Sequence, residues 1–362
     1  MINITKPTLL LNKEQCFANI NQIAEKAKKS DTVFRPHFKT HNSAHIGNWF
    51  RKLGIHSITV SSVSMAKFFS AYGWRDITIA FPVNVLEMGQ ISELAAELNL
   101  NIMGDTSTIL PVLESGLTYR VGFYIEIDTG HHRSGVLWKD LTEIERMLEF
   151  LTTSNRMQFK GFLTHSGHTY SADSQEEILN IYKDTVRKMT YLKELYRETW
   201  PDITISIGDT PSCSLIEDFT GVDEIRPGNF IFYDLMQFSL GSCSLEQIAV
   251  AVACPVVSRS TKRNEVTIYG GAIHFSKDFL FKSNGDHLFG YIVRIDEKGW
   301  SKPIAGAYLA KLSQEHGIIR APREVIEEIK IGDVLGVLPV HSCLTANLMK
   351  GYITLEGEVI SY

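Results

Sequence analysis

A lysine standing between two histidines is the chain's clearest opening for covalent chemistry. Residues 32 to 43 read TVFRPHFKTHNS, with His37 and His41 on either side of Lys39. Val33 and Phe34 read as a strand entering a core, Lys39 falls at its end, and a helical pattern begins near Ser43. Loops that follow the strands of an α/β barrel carry its ligands. A lysine there attacks a carbonyl once its pKa is lowered by burial or by neighbouring cations. The bland reading of the same position is solvated surface.

Four further segments bring reactive side chains to strand ends. EIDTGHHRSG (126 to 135) carries Asp128, Gly130, Arg133 and Gly135; an arginine there can hold a phenolate or carboxylate, or the segment is a glycine turn with a surface arginine. THSGHTYS (164 to 171) gathers His165, His168 and Tyr170, which either act as acid and base or form a structural polar loop. SIGDTPS (206 to 212) and RPGNFIFYD (226 to 234) are rich in glycine and small polar residues before helix starts. Helix N-termini bind phosphate, and barrels often hold phosphate after strands seven and eight. That makes Gly208, Thr210, Gly228 and Asn229 phosphate-cup candidates, with Asp209 nearby. Plain capping by Asp209, Thr210 or Ser212 is the alternative. In LPVHSCLTAN (338 to 347), His341 and Cys343 are two apart and would face one side of a strand. Imidazole and thiolate suit zinc, although two ligands alone are a weak signal.

These segments need positioning, and the chain supplies a regular frame. From residue 33 to 228 an apolar strand, a short loop and an amphipathic helix recur, with strands at the Lys39 segment, HSITV, DITIAF, LNIMG, RVGFYIEID, QFKGFLTH, DITISIG and VDEIRPG. Eight such units predict an α/β fold with a closed (β/α)8 TIM barrel. An open doubly wound sheet is the runner-up, disfavoured because no glycine-rich dinucleotide fingerprint follows the first strand. After residue 243 the texture becomes strand runs separated by Gly, Pro, Asn and Asp. The expected division is a barrel over 13–243 and a β-rich domain over 244–362 that takes in residues 1–12, because TLLL (8 to 11) is not needed for the barrel.

Composition narrows the function. The 362 residues are 44% hydrophobic and 21% charged with a net charge of -5, which argues for a soluble protein and against nucleic acid or a membrane surface as partner. There is no apolar run of membrane-spanning length and no secretory signal pattern. Five scattered cysteines suggest reduced thiols and a cytoplasmic setting.

RPHFKTH, the D-x-G-x-x-R-x-G run and the H-x-C pair together resemble the D-threonine aldolase and D-serine dehydratase family, whose barrel is of the alanine-racemase type. The likeness runs from Pro7 to about Asn347. It implies pyridoxal 5'-phosphate held as a Schiff base by Lys39, which then abstracts the α-proton. It implies Arg133, Tyr170, Gly208, Asp209, Thr210, Arg226, Gly228, Asn229 and Tyr233 around the cofactor, with His168 as a base in the aldolase variant. It implies a divalent metal, zinc or else manganese, on His341 and Cys343, and a cysteine at the second ligand position resembles the dehydratases. Glu315 and His316 also fall in a segment similar to the family's, while Lys277 and His274 have no assigned role. The expected activity is a metal-assisted lyase on D-β-hydroxy amino acids, in a homodimer. Arg226 resembles the arginine that alanine racemases place against the pyridine nitrogen, which keeps an amino-acid racemase as the alternative.

Overall fold

The computed structural model describes residues 3–296 and 299–361, and the chain divides into two compact units. One comprises 21–39 and 46–228; the other comprises 1–20, 40–45 and 229–362.

The first unit is the expected parallel barrel. Its strands are Val33–Phe34, Ser57–Val60, Asp76–Pro82, Asn99–Gly104, Val121–Asp128, Met157–Thr164, Thr204–Ile207 and Glu224–Ile225. From the second to the eighth each pairs in parallel with the next, and the eighth pairs with the first through Glu224 against Val33. Between first and second there is only an isolated parallel bridge, His37 to Thr59. Phe38 N–H donates to the Thr59 carbonyl and Thr59 N–H to that of Pro36, both at 2.9 Å. Pro36 has no N–H to give, which is one reason the regular first strand stops at Phe34. Lys39 therefore sits five residues beyond the regular strand, in a turn, rather than at its last position.

An aromatic knot fixes that turn. The Phe38 ring is fully buried and lies 5.0 Å, centroid to centroid, from each of Phe50, Phe69 and Trp74. A Cβ on Gly47 would stand 3.1 Å from the same ring, so glycine there lets the helix Ala44–Arg51 approach without displacing the ring by a few tenths of an ångström. Burying so large a ring contributes about 3 kcal/mol and anchors the residue before Lys39.

The second unit is antiparallel. Strand Val250–Ser260 pairs with Val334–Pro339 on one side; its far end pairs with Glu265–Tyr269. Through His316–Arg320, Tyr308–Leu312 and Gly290–Asp296 the ladder runs back to Val334–Pro339 and closes. Thr8–Leu11 joins this sheet, antiparallel to Val250–Ala253 and parallel to Ile353–Thr354. No helix among the described residues is long and apolar enough to cross a membrane.

Candidate active site

Lys39 is exposed, and its backbone N–H donates to His37 Nδ1 at 3.4 Å. The groups whose charge reaches His165 include Lys39, Arg133 and Arg226, which brings the ends of strands one, five, six and eight to one mouth of the barrel. His165, half-buried, is the centre of this group. Its Nδ1–H donates to the Gly208 carbonyl. Burial first, and then the three cations, lower its pKa to about 3 against the help of that bond.

A pH dependence follows. A buried base with a depressed pKa stabilises the fold above its unfolded value of about 6.5, and that stability is lost as pH falls toward the folded value. His165→Gln is expected to weaken the acid sensitivity of unfolding between pH 6.5 and 4 by up to about 1.4 kcal/mol per pH unit. Urea unfolding across that range is the check; identical slopes in both proteins would remove His165 as the titrating group. His41, likewise lowered to about 3 by burial, keeps a background slope in both.

The loop after the fifth strand is built on Asp128. Its carboxylate accepts the N–H of Gly130 at 2.9 Å and of His132 at 3.1 Å, and the His132 ring at 2.8 Å. Gly135 has φ +106°, and a Cβ there would lie 2.7 Å from Asp128 N, so this turn requires glycine. Arg133 projects from the turn, exposed.

Tyr170 lies in the short helical turn Gly167–Ser171, its ring 6.3 Å from that of His165. Its hydroxyl accepts the N–H of Thr210 at 3.2 Å. Thr210 begins the helix Thr210–Leu215, which Asp209 caps by accepting Ser212 N–H at 2.7 Å. Capping therefore belongs to Asp209, whose carboxyl is pushed up to about 6 because burial outweighs its hydrogen bonds. The hydroxyls of Thr210 and Ser212 are buried with no hydrogen-bond partner among the described residues. Two orphan donors at a helix start suit a phosphate.

Arg226 is buried and held on two sides. Its Nε donates to Ser206 Oγ at 2.7 Å and its Nη2 to the Thr164 carbonyl at 2.6 Å. The Ser206 hydroxyl donates to Glu224 at 2.6 Å, and Glu224 also accepts from Arg35, which reaches Asp76. This ionic chain inside the barrel gave no periodic signal, because each member alone reads as a polar residue in a strand.

In the second unit, His341 and Cys343 do not lie on a strand as expected. The strand ends at Pro339; His341 precedes the helix Ser342–Met349 and Cys343 is in its first turn. Asp234 causes this, accepting Ser342 N–H at 2.9 Å and the Ser342 hydroxyl at 3.2 Å. The pair still converges. His341 Nδ1–H donates to Asp278 at 2.6 Å, leaving Nε2 as the ligand atom, with a carboxylate behind it as metal-binding histidines commonly have. Cys343 Sγ receives Asn229 Nδ2 at 3.4 Å and lies 3.2 Å from Thr40 Oγ1. Burial disfavours charge on both groups, but their hydrogen bond and mutual attraction outweigh it. They push His341 up to about 10 and hold the Cys343 thiol below its ordinary value. A thiol beside an oriented imidazole supplies donors that a zinc-like cation accepts by displacing their protons, although no cluster of three or more ligand side chains occurs among the described residues.

Asn229 turns its amide N–H groups to Asp234, Ser342 and Cys343. Tyr233 is buried within the second unit. His316 is exposed on a sheet strand, Lys277 is exposed, and His274 accepts Gly271 N–H and feels the charge of Glu315. Asp278 and the His131 ring, which lies 5.7 Å from that of His165, were not among the candidates. The adjacency of Asp278 to Lys277 offered no signal for it.

The alanine racemase N-terminal domain family model matches residues 11–235, and the model described as "Putative serine dehydratase domain" matches 249–355. D-serine dehydratase of Dictyostelium discoideum is 30% identical, over 98% of this chain and 94% of that protein. D-threo-3-hydroxyaspartate dehydratase of Delftia sp. is 27% identical, over 99% and 96%. D-threonine aldolase of Arthrobacter sp. is 22% identical, over 99% and 91%. The solved Delftia dehydratase superposes with a TM-score of 0.90 at 24% identity, covering 99% of this chain and 97% of that one, and so shares the fold. Its solved variants include a histidine-to-alanine mutant and, two positions on, a cysteine-to-alanine mutant in the metal-free form.

Proposed function

This chain belongs to the alanine racemase N-terminal domain family, among the D-serine dehydratases and their relatives, and we propose that it is a pyridoxal-phosphate lyase that dehydrates a D-configured β-hydroxy amino acid. The observation that carries the reading is the His341–Cys343 pair, with His341 Nδ1 held by Asp278 and Cys343 beside Asn229 and Thr40. The named relatives are lyases, and the likeness to alanine racemases at 12–14% identity is one of fold alone, so the racemase alternative is set aside.

Lys39 would carry the cofactor, with Thr210, Ser212 and the helix N-terminus on its phosphate. When bound, the cofactor supplies an electron sink that acidifies the substrate α-carbon. Lys39 Nζ takes the α-proton. Arg226, locked by Ser206 and the Thr164 carbonyl, holds a fixed positive charge. Neutral His165 neither repels Lys39 nor competes with it for the proton. His341 and Cys343 would hold a divalent cation, zinc or manganese, which supplies a Lewis acid toward the β-hydroxyl. The α C–H and Cβ–O bonds break, one water leaves, and hydrolysis by a second water gives a 2-oxo acid and ammonium. The proposal takes the working enzyme to be a cytoplasmic homodimer, which the mass of the purified protein in solution would check.

The test is turnover of D-serine and D-threo-3-hydroxyaspartate by purified, cofactor-loaded protein, before and after chelation. Formation of a 2-oxo acid is expected, falling at least about a hundredfold on removal of the metal and returning with added zinc or manganese. Racemised substrate with no 2-oxo acid would overturn the reading, and glycine from D-threonine as the main product would redirect it to the aldolase.

A further inference from the structure

One turn of the second unit holds a serine in a backbone conformation that serine avoids. Ser276 follows the short helix Ala272–Phe275 with φ 68° and ψ -170°. That region is essentially confined to glycine, because a Cβ there crowds its own backbone. A residue stays in it only where the surroundings over-determine its conformation, and such residues gather at functional sites.

Here the chain is pinned on both sides of the serine. Before it, Ala272 N–H donates to the Ser313 carbonyl at 2.8 Å, and a Cβ on Gly271 would stand 2.3 Å from the Gln314 carbonyl oxygen. The helix start therefore lies against the turn between the strands Tyr308–Leu312 and His316–Arg320. At the helix end the Phe275 ring is buried, and the Phe275 carbonyl accepts the Thr345 hydroxyl at 3.4 Å from the helix that begins beside His341. Ser276 N–H donates back to the Ala272 carbonyl at 3.0 Å. After it, the Ser276 hydroxyl accepts Asp278 N–H at 3.2 Å. Asp278 is the carboxylate that lies 2.6 Å from His341 Nδ1. Only Lys277 separates the strained residue from the group that aims the imidazole. A relaxed Ser276, with φ negative, would turn the following chain in another direction and carry Asp278 off His341.

We infer that Ser276 is a positioning residue for the metal pair. Its strained backbone places Asp278 behind His341, and its hydroxyl locks the turn in that state. The inference rests on the metal-assisted reading and deepens it. It also accounts for a serine where glycine would be unstrained, since the hydroxyl supplies a bond that glycine lacks. An imidazole held by a carboxylate at Nδ1 keeps Nε2 aimed at a cation, and loss of such a partner weakens metal binding.

The readout is the zinc affinity of the cofactor-loaded protein, measured by competition with a chromophoric chelator. Asp278→Asn is expected to weaken it about ten- to a hundredfold. Ser276→Ala keeps the strained Cβ but loses the hydroxyl that holds the turn, and should weaken it at least about tenfold. Ser276→Gly loses the same hydroxyl yet adopts this backbone without strain, and should fall at least about threefold less. Placed on Asp278→Asn, Ser276→Ala should add less than about twofold, because the two act through one contact. General damage to the fold would instead multiply the losses. Affinity kept within about twofold in Ser276→Ala, multiplied losses in the pair, or a glycine variant as weak as the alanine one would each overturn the inference. Zinc that binds through His341 but ignores Ser276 sinks this inference alone. Zinc that does not bind, or binds equally well to His341→Ala, sinks the metal reading and this inference with it.

Discussion

Lys39→Ala is expected to abolish both the visible absorption of the cofactor-loaded protein and its dehydratase turnover. Two losses coincide at one atom. Nζ is the group to which the cofactor would attach, and on the proposed reading it would be the base that takes the α-proton. Removing a positioned general base costs roughly 10²–10⁴ in rate, and losing the covalent attachment adds to that. The fold should be untouched, because Lys39 is exposed and its anchor is the neighbouring Phe38 ring. The measurement pairs the absorption spectrum with kcat and with circular dichroism as a folding control. A variant that keeps both the band and turnover above a hundredth of the unaltered rate would transfer the role to another amine. Lys277, exposed in the second unit, is the one to try next.

The largest effect on stability is expected at Arg35. Its guanidinium is buried between Glu224 and Asp76. Burial opposes its charge, but the two carboxylates outweigh burial and raise its pKa above the ordinary value. Arg35→Met would strand a buried carboxylate at Glu224, and removing one partner of a buried pair costs about 3–5 kcal/mol. Ser206 would then lose the acceptor's fixed position, and Arg226 would loosen with it. Adding Glu224→Gln and Asp76→Asn to the Arg35→Met variant removes the unpaired charges and should restore most of the loss, since a neutral replacement of a whole ionic cluster is often tolerated. Urea unfolding of the single and combined variants measures this. A loss under about 1 kcal/mol in the single variant would show that water reaches the cluster and that it is not a load on the core.

Much of the barrel was legible because its information is local. Apolar runs such as those of the fifth and sixth strands, each followed by a helix of period 3.6, specify a parallel sheet wherever the neighbours fall. Lys39, the Asp128–Gly135 run and the segments after strands six, seven and eight were legible for the same reason. Each is a short stretch at the end of a strand, and the fold class alone brings strand ends to one rim. The helix caps at Ser174, Asp209 and Asp234 are local too.

What the sequence by itself determined, then, was the alternation of elements, the mouth at which Lys39 stands, and the two residue types of the His341–Cys343 pair. Tertiary structure alone decided the geometry of that pair, because Asp234 lies 108 residues before Ser342 and sets a helix start where strand alternation had been expected. It alone brought Asp278 behind His341, 63 residues away, and linked Arg35 to Glu224 across 189. It also turned the Asn229 amide to Asp234 and Cys343 and set His131 on Gly167. These choices depend on which side chains can satisfy one another once water is excluded. A buried carboxylate or imidazole takes its partner from anywhere in the chain that the fold brings within about 3 Å, and that choice leaves no trace in local spacing.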